Sequence, residues 1–425
     1  MQMVNPSKTA VLLASFGLAS VSAQSLFAAE QEPRGYQPTV HVSSATRLDW
    51  IFALSNQSRE KPPASWLKDY ESAKQTYELF VPTNYDPKKS WPVVLFVSPG
   101  NRAMGWRCWR DVCMKRGVIF AGAHGAGNRC PTPRRVKILM DVLDDVRRRF
   151  HTDADRTYLS GFSGGGRIAC AVAFSLPEYF GGVVSICASG ELRREPWLRQ
   201  RVIDWLNVAM ATGERDFNRG EVERYRGPML AAVGVRSRVW TIKGMGHTLP
   251  PTRTIEDIFR WLETGVSSRR KLALRYPASR INATTAPTRK DWSERLLSEA
   301  QKRTRRPKTL YSGLRQLAGI RARWHDLPAA VKATKLLRQF ESLKNRPWEK
   351  EDIAEQRRFL IARARSLDSY ATGPLPKSYA AQQPAMAKAA LNLWRQVIRD
   401  GQDKRAVAQA RKRIPVLEKL AGIRD

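Results

Sequence analysis

The chain has 425 residues, of which 42% are apolar, and it carries a formal net charge of +34 at pH 7. This length and apolar content predict a folded chain with two domains, or with one large domain and an appendage. The five cysteines lack the spacing of a zinc site, and their odd number leaves at least one thiol outside any disulfide bond.

Positive charge is concentrated in the C-terminal part of the chain. Residues 266–425 carry 37 Lys and Arg against 14 Asp and Glu, an excess of 23, so the first 265 residues carry an excess of 11. This asymmetry predicts an anionic partner for residues 266–425, such as an acidic polysaccharide, a nucleic acid or a membrane surface. The alternative interpretation is a set of solvated helical faces in a protein from an arginine-rich proteome.

The first 29 residues have the pattern of a secretory signal peptide. Lys8 supplies the positive start, residues 10–21 form an apolar run, and cleavage is expected after Ala23 or Ala29. The run is too short for a stable transmembrane helix, and no later stretch is apolar enough to span a membrane. We therefore expect a secreted or periplasmic protein with no integral membrane span after signal removal.

Strand and helix patterns alternate after a polar N-terminal arm at residues 30–75, in which residues 49–54 are expected to form a short helix. Residues 91–97 (WPVVLFV) are a nearly continuous apolar run, as in a strand buried on both faces of a parallel sheet. The alternation predicts an α/β fold over residues 76–264, with a mostly parallel sheet and helices on both faces. The predicted strands include residues 76–81, 91–97, 117–121, 158–159, 182–186, 207–211 and 237–242, and the predicted helices include 136–150 and 255–262.

Strand patterns stop after residue 264. Residues 265–290 are a basic segment with Pro and Thr, which predicts a linker, and residues 291–425 are expected to form a basic all-α domain. Its clearest helical segments lie at residues 307–324, 327–343, 348–370, 382–400 and 403–420.

The helical region also contains a weak internal repeat. At an offset of 77 residues, Leu314, Leu317, Ile320, Ala333 and Leu337 align with Leu391, Trp394, Val397, Ala410 and Ile414. This resembles the helix pairs of tetratricopeptide-type arrays, and a small irregular helical bundle is the alternative.

Residues 157–171 (TYLSGFSGGGRIACA) contain a G-x-S-x-G motif between a predicted strand and a predicted helix. A short strand runs into Gly161-Phe162-Ser163-Gly164-Gly165, and a helix is expected to begin directly afterwards. A strand, a glycine turn and a helix in this order are the context of a nucleophile elbow, in which a strained serine stands at the carboxyl edge of a sheet. The alternative is a glycine-rich surface turn with an idle serine.

A serine nucleophile needs a general base, and that base needs an acid to orient it. In a sheet of this type both partners follow later strands, with the acid before the histidine. His247 stands after the last predicted strand and Asp216 follows the preceding one, with Glu214 as the second choice for the acid. His124 also follows a strand, but it precedes the serine, so we expect it to line the pocket or shape the oxyanion site instead.

The negative oxygen that develops in acyl transfer needs preorganised donors. We expect one from the backbone N–H of Gly164, directly after the serine. The second is expected from Gly100 or Asn101, in the turn that follows residues 91–97. The candidate walls of the substrate pocket are Trp106, Trp109 and His124. For the two tryptophans, ordinary packing is the alternative role.

With these motifs, residues 76–264 resemble the α/β-hydrolase superfamily, and within it the secreted esterase branch that includes polyhydroxybutyrate depolymerases and feruloyl or acetyl-xylan esterases. The resemblance rests on residues 143–147 with 153–156, 158–165 (YLSGFSGG), 212–218 (TGERDFN) and 244–247 (GMGH). It implies that Ser163 is the nucleophile, Asp216 the acid and His247 the base. The turn at residues 98–101 (SPGN) departs from the His-Gly that such enzymes often carry, which leaves the second oxyanion donor open.

These observations together predict an exported serine hydrolase that cleaves carboxylic esters through an acyl-enzyme, with no metal and no organic cofactor. Its ester substrate is expected to be free or attached to a polysaccharide or polyester. Two alternatives stay open. One is a serine peptidase of the prolyl-oligopeptidase type, which shares the order of the triad, and the other is a catalytically idle protein that binds a polysaccharide.

Overall fold

An eight-stranded sheet lies at the centre of the structure, a computed structural model that describes residues 34–281 and 286–423. The predicted signal peptide, residues 1–29, lies outside the described residues. The described residues from Arg34 onward form one compact unit. The strands are β1 (Gly35–His41), β2 (Thr76–Val81), β3 (Trp91–Val97), β4 (Ile119–Ala123), β5 (Thr152–Phe162), β6 (Gly182–Ile186), β7 (Asn207–Gly213) and β8 (Arg236–Ile242).

The order of the strands confirms the predicted fold class. Across the sheet they run β1-β2-β4-β3-β5-β6-β7-β8. β2 pairs antiparallel with β1 and with β4, and the pairings from β4 across to β8 are parallel. All seven residues of β3 are buried, as expected of a central strand covered on both faces. This is the mostly parallel sheet of an α/β fold that the sequence predicted.

One strand, β1, lies in the arm for which the sequence predicted no strand. It forms the outer edge of the sheet, and its side chains are partly or fully exposed. Pro38 interrupts it, which an edge strand tolerates because one side of its backbone has no neighbouring strand. A half-exposed strand with an internal proline lacks the apolar run that marked β3, and this explains why no sequence pattern indicated it.

Helices cover both faces of the sheet. Up to the end of the sheet domain they are α1 (Trp106–Arg116), α2 (Thr132–Arg149), α3 (Gly164–Ser175), α4 (Pro196–Trp205), α5 (Gly227–Ala232) and α6 (Thr252–Glu263). On one face α1 and α6 pack on a cluster of buried side chains that includes Trp109 and Phe259. On the other face α2, α3 and α4 belong to a larger cluster, which continues without a break into the helical region beyond the sheet.

The C-terminal part is helical, as predicted. All five of its clearest predicted segments are helices, with ends that differ by about one or two residues. The prediction of a linker at residues 265–290 is corrected in its first part. Val266–Arg275 forms a helix that packs against β5 and α4. These helices are α7 (Val266–Arg275), α8 (Arg289–Thr304), α9 (Pro307–Arg323), α10 (Pro328–Glu341), α11 (Glu349–Thr372), α12 (Lys377–Ala380), α13 (Gln383–Asp400) and α14 (Lys404–Leu420).

The helices of this region pack as neighbours in sequence. α9 contacts α8 and α10, and α13 contacts α11 and α14. Nine of the ten repeat positions are buried, and Ile414 is half-buried, so each set does form the inner face of a helix pair. The likeness to tetratricopeptide-type arrays remains a prediction. Among the described residues no helix has the length and apolar character needed to cross a membrane.

Candidate active site

The G-x-S-x-G motif forms a sharp turn between β5, which ends at Phe162, and α3, which begins at Gly164. Ser163 has φ 54° and ψ −124°, a conformation that is strained for a residue with a side chain. Its backbone N–H donates to the Ile186 carbonyl at 2.8 Å, which fixes the turn on the neighbouring strand β6. The turn therefore has the geometry predicted for a nucleophile elbow.

The elbow needs glycine on both sides of the serine because backbone segments pass close to it. A Cβ atom on Gly161 would lie 2.5 Å from the carbonyl group of Gly165. A Cβ atom on Gly165 would lie 2.1 Å from the Val97 carbonyl oxygen. Real Cβ atoms do not approach backbone atoms this closely, so strand β5, helix α3 and strand β3 can meet only with glycines here.

The structure brings Ser163, His247 and Asp216 together in one hydrogen-bonded line. His247 Nδ1 lies 2.8 Å from Asp216 Oδ1, and His247 Nε2 lies 2.9 Å from Ser163 Oγ. A carboxylate can only accept a hydrogen bond, so Nδ1 carries the proton, and Nε2 is left to accept from the serine hydroxyl. This tautomer is the one in which the imidazole can take the serine proton.

Asp216 is held by more than the histidine. Its side chain is fully buried. Oδ2 accepts from the Thr212 hydroxyl at 2.8 Å, and Oδ1 also accepts from the Asn218 backbone N–H at 2.9 Å. These three donors fix the direction in which the buried carboxylate faces the imidazole.

Glu214, the second choice for the acid, does not reach the imidazole. Its side chain is directed to the backbone N–H of Gly244, which donates to Oε2 at 2.9 Å. Gly244 belongs to the turn that carries His247, so Glu214 holds the histidine loop rather than the histidine ring. The structure thus places Asp216, and not Glu214, beside His247.

The predicted pocket walls make packing contacts instead. Trp109 is fully buried, and its indole N–H donates to the Ser160 hydroxyl at 3.3 Å. Trp106 stacks on Tyr36, with ring centroids 5.0 Å apart. His124 accepts from the Ala103 N–H and donates to the Pro38 carbonyl. Their observed contacts hold β1, β5 and the turn after β3 in place, and none of these contacts is with the triad.

The predicted oxyanion donors differ in the hydrogen bonds that their backbone N–H groups already make. The Gly164 N–H stands at the first turn of α3, where backbone N–H groups have no intrahelical partner. The Gly100 N–H already donates to Ser98 Oγ at 3.1 Å, which favours Asn101 as the second donor. A residue that the sequence analysis missed, Asn128, holds its exposed side-chain amide against Gly164: a Cβ atom there would meet Asn128 Oδ1 at 2.1 Å. Asn128 follows a glycine-rich loop after β4, and this position at a strand end was its one signal.

Two further residues surround the histidine. Phe217 stacks on the imidazole, with ring centroids 4.0 Å apart and 46% of the side chain exposed. Cys187 has a positive φ of 54° and directs its thiol toward the carbonyls of the His247 loop. Burial and the nearby Asp216 carboxylate raise the pKa of the Cys187 thiol, which favours its protonated form.

Donor atoms of Cys187, Asp216 and His247 lie within 4.8 Å of one another, a spacing compatible with a metal ion. The hydrogen bonds of Asp216 and His247 already account for the positions of those two side chains. The hydrogen bonds of the serine triad therefore account for the close approach of these groups, and the Cys187 thiol packs against them.

Comparison with known proteins finds similarity in structure rather than in sequence. No family model and no curated protein matches the chain. Solved structures do: a thermostable esterase (19% identity over 46% of this chain and 60% of that chain, TM-score 0.34), the S-formylglutathione hydrolase FrmB from Staphylococcus aureus (13%, 46% and 94%, TM-score 0.35), and FphF, a fluorophosphonate-binding serine hydrolase from the same organism (10%, 54% and 99%, TM-score 0.38). This chain thus spans less than two thirds of the esterase. These three are an esterase, an S-formylglutathione hydrolase and a fluorophosphonate-binding serine hydrolase, and at this low identity and TM-score their activities are not assigned to this chain.

Proposed function

We propose that this chain is a serine hydrolase that cleaves carboxylic esters. The observation that carries the proposal is the line from Ser163 Oγ through His247 to the buried Asp216, with distances of 2.9 and 2.8 Å, built on a strained elbow. A serine hydroxyl is a weak nucleophile at neutral pH, and a base at this distance with an oriented ring is what activates it.

The reaction follows from these positions in two steps. His247 Nε2 takes the Ser163 proton while Oγ bonds to the ester carbonyl carbon, and the N–H of Gly164 and a donor of the turn at Asn101 stabilise the oxyanion. The intermediate then collapses: the bond to the alcohol oxygen breaks, and His247 returns its proton to that oxygen. Water attacks the acyl-enzyme by the same route, with His247 as the base, and releases the acid and free Ser163.

The substrate class separates the ester proposal from its alternatives. Esters are favoured by the motif resemblance to the secreted esterase branch, which residues 158–165, 212–218 and 244–247 carry. The signal-like residues 1–29 and the resemblance to a secreted branch support a substrate outside the cell. The substrate is therefore proposed to be an ester met outside the cytoplasm, free or attached to a polysaccharide or polyester.

A fluorophosphonate probe tests the proposal directly, because it reacts with a serine that a neighbouring base has activated. We expect the wild-type protein to be labelled, Ser163→Ala to be unlabelled, and Ser342→Ala, which removes an exposed hydroxyl far along the chain, to be labelled as the wild type. A folded wild-type protein that stays unlabelled would contradict the proposal and favour a catalytically idle binding protein. If a prolyl-peptide p-nitroanilide is cleaved faster than p-nitrophenyl acetate, the result would favour the peptidase.

A second proposal concerns the basic helical region, which we infer to bind polyanions. The observation in its favour is a groove of about 570 Å³ between α8 and the segment at Tyr276. Arg295, Lys302 and Arg306 line it and are exposed, whereas its acid, Glu299, is already paired with Arg303. Uncompensated positive charge in a concave site attracts an anionic polymer more strongly than the same charge spread over a flat face.

A further inference from the structure

The segment at residues 373–382, which joins α11 to α13, brings the helical region to the candidate active site. We propose that it forms one wall of the substrate groove and that its Tyr379 positions the loop that carries the triad acid, an inference that rests on the proposed hydrolase function. The wall recognises an apolar group of the ester, with an aromatic group as the best fit.

Tyr379 is joined to the triad by a chain of hydrogen bonds. Its hydroxyl donates to Asn218 Oδ1 at 3.0 Å. Asn218 is buried, its backbone N–H donates to Asp216 Oδ1 at 2.9 Å, and its side-chain amide donates to the Cys187 carbonyl at 2.9 Å. A buried amide needs partners for both of its ends, and Tyr379 supplies the partner for the oxygen. The tyrosine therefore fixes the residue that holds the carboxylate facing His247.

The same segment lines a groove that opens beside the acid loop. The groove has a volume of about 460 Å³, which is within the range of small-molecule sites. Phe217 forms one side of it, where the ring that stacks on His247 is 46% exposed. Leu375 and Pro376 face it from the helical region. An apolar group in this groove would contact Phe217. Phe217 directly follows Asp216 in the sequence and stacks on His247, so the group would lie beside the triad.

Charged residues at the groove are already engaged by the protein. Arg219 pairs with Glu223 at 2.7 Å. Arg224 donates to the carbonyls of Ser369 and Pro374 and so clamps the segment. These contacts leave the apolar side chains as the surface offered to a ligand, and this is the reason for assigning the groove to an apolar group rather than to an anion.

Two contacts hold the segment in this position. The Arg224 guanidinium lies against Gly373, where it occupies the space that a Cβ atom would take. Tyr370, three residues earlier, stacks on Tyr225 with centroids 5.7 Å apart and planes 13° from parallel. The segment is thus fixed against the same turn, Glu221–Arg226, that follows the acid loop.

Kinetics of Tyr379→Phe test the positioning role. We expect kcat for p-nitrophenyl acetate to fall roughly fivefold with KM nearly unchanged, the size of one lost hydrogen bond that acts on the triad. Tyr311→Phe is the matched control, since it removes a hydroxyl that contacts Arg315 in the helical region, away from the acid loop. Because Tyr379 acts through Asn218, adding Tyr379→Phe to Asn218→Ala should cost nothing further. A fall in kcat that is fully additive, or that Tyr311→Phe reproduces, would overturn the role of Tyr379.

Substitution of Leu375 tests the groove. Ethyl 3-phenylpropanoate places an aromatic group on the acyl side and 2-phenylethyl acetate places it on the alcohol side, with ethyl acetate as the ester that lacks both. We expect Leu375→Ser to reduce the preference in kcat/KM for at least one aromatic ester over ethyl acetate by about tenfold, the cost of a few buried methylene contacts. If both preferences are unchanged, the groove is not the substrate wall.

The wild-type protein separates this inference from the proposed function. Wild-type hydrolysis of ethyl acetate that Ser163→Ala abolishes, together with unaffected Tyr379 and Leu375 variants, would overturn the wall alone. A wild-type protein that hydrolyses none of the three esters and is not labelled by the fluorophosphonate would overturn the hydrolase, and the wall with it.

Discussion

The carboxylate of Asp216 accepts three hydrogen bonds, and this makes it a sharper test of the triad than the serine. In Asp216→Asn an amide NH₂ replaces one oxygen and must face either the Thr212 hydroxyl or the imidazole N–H, both of which donate in the wild type. An amide NH₂ beside Nδ1 would favour the wrong tautomer of His247. We expect kcat to fall by about 10³- to 10⁴-fold with the protein still folded, as measured with an activated ester.

Glu214→Gln is the matched control for this substitution. It makes the same change from carboxylate to amide two residues away, on a side chain that is exposed and contacts only the loop backbone at Gly244. We expect kcat to change by less than about threefold, since an exposed hydrogen bond contributes little. Equal losses in the two variants would show that Asp216 is not the acid of the triad.

The five cysteines are free in the structure, which leads to a prediction about their reactivity. Burial raises the pKa of Cys108 to about 12 and of Cys170 to about 11, and it raises the pKa of Cys113 and Cys187 as well. The thiolate is the reactive form, so a raised pKa leaves these thiols protonated and slow at pH 8. Half-buried Cys130 is the most accessible of the five.

Titration with a disulfide reagent at pH 8 checks this. We expect at most about one thiol to react quickly in the native protein and all five to react after unfolding without a reductant. Two missing thiols in the unfolded protein would reveal a disulfide bond, and would contradict the free cysteines seen here.

The meeting of β5, α3 and β3 at the elbow gives a prediction for whole elements. Gly165→Ala places a methyl group 2.1 Å from the Val97 carbonyl oxygen, so α3 must move away from β3. Overpacking of this kind typically lowers the free energy of unfolding by about 1–3 kcal/mol. Because Ser163 directly precedes α3, the shift of this helix also moves the nucleophile, and we expect the rate of ester hydrolysis to fall as well.

Urea unfolding and ester hydrolysis measure the two effects. Gly246→Ala is the control, since no atom lies within 4 Å of a Cβ atom added there. Near wild-type stability is expected for the control. An unchanged free energy of unfolding for Gly165→Ala would contradict the close approach of strand and helix at the elbow.

The sequence predicted the elements whose signals are local. The apolar run of β3 and the helical spacing of α9, α10, α11, α13 and α14 are visible within a few residues, and so is the elbow. The edge strand β1 and the helix α7 were missed, because one is half-exposed with Pro38 inside it and the other lies in a basic segment. In both cases packing against the rest of the protein decided the structure.

The surroundings of the site were harder to predict than the triad. The order of Ser163, Asp216 and His247 along the chain follows from the topology of the sheet, so their meeting was predictable. Tyr379 meets Asn218 across 161 positions of the sequence, and no pattern near either residue indicates that contact. Trp106 and Trp109 were expected at the pocket because they follow β3, but α1 turns them into the packing of the sheet.

At the scale of the whole molecule, the helical region is joined to the sheet domain through a buried ion network. Arg323 is fully buried and lies 3.1 Å from Asp49 of the N-terminal arm and 2.9 Å from Glu178 after α3. Removal of the helical region would take this cation from both carboxylates and uncover the apolar cluster that the sheet domain shares with the helices. The helical region is therefore best tested by substitutions in the full chain rather than by deletion.

Charge substitutions in the full chain distinguish a polyanion groove from general surface charge. We expect the triple variant Arg295→Gln, Lys302→Gln and Arg306→Gln to elute from immobilised heparin at clearly lower salt than the wild type, because each contact with the polymer releases counterions. The control Lys332→Gln, Lys335→Gln and Lys388→Gln removes the same charge from exposed helical positions away from the groove. A concave site loses most of its positive electrostatic potential when the cations that line it are removed. Binding through diffuse surface charge depends only on the net charge of the protein, which both variants lower equally. Equal shifts in the two variants would therefore contradict the groove, and elution of the wild type that is independent of salt would contradict polyanion binding itself.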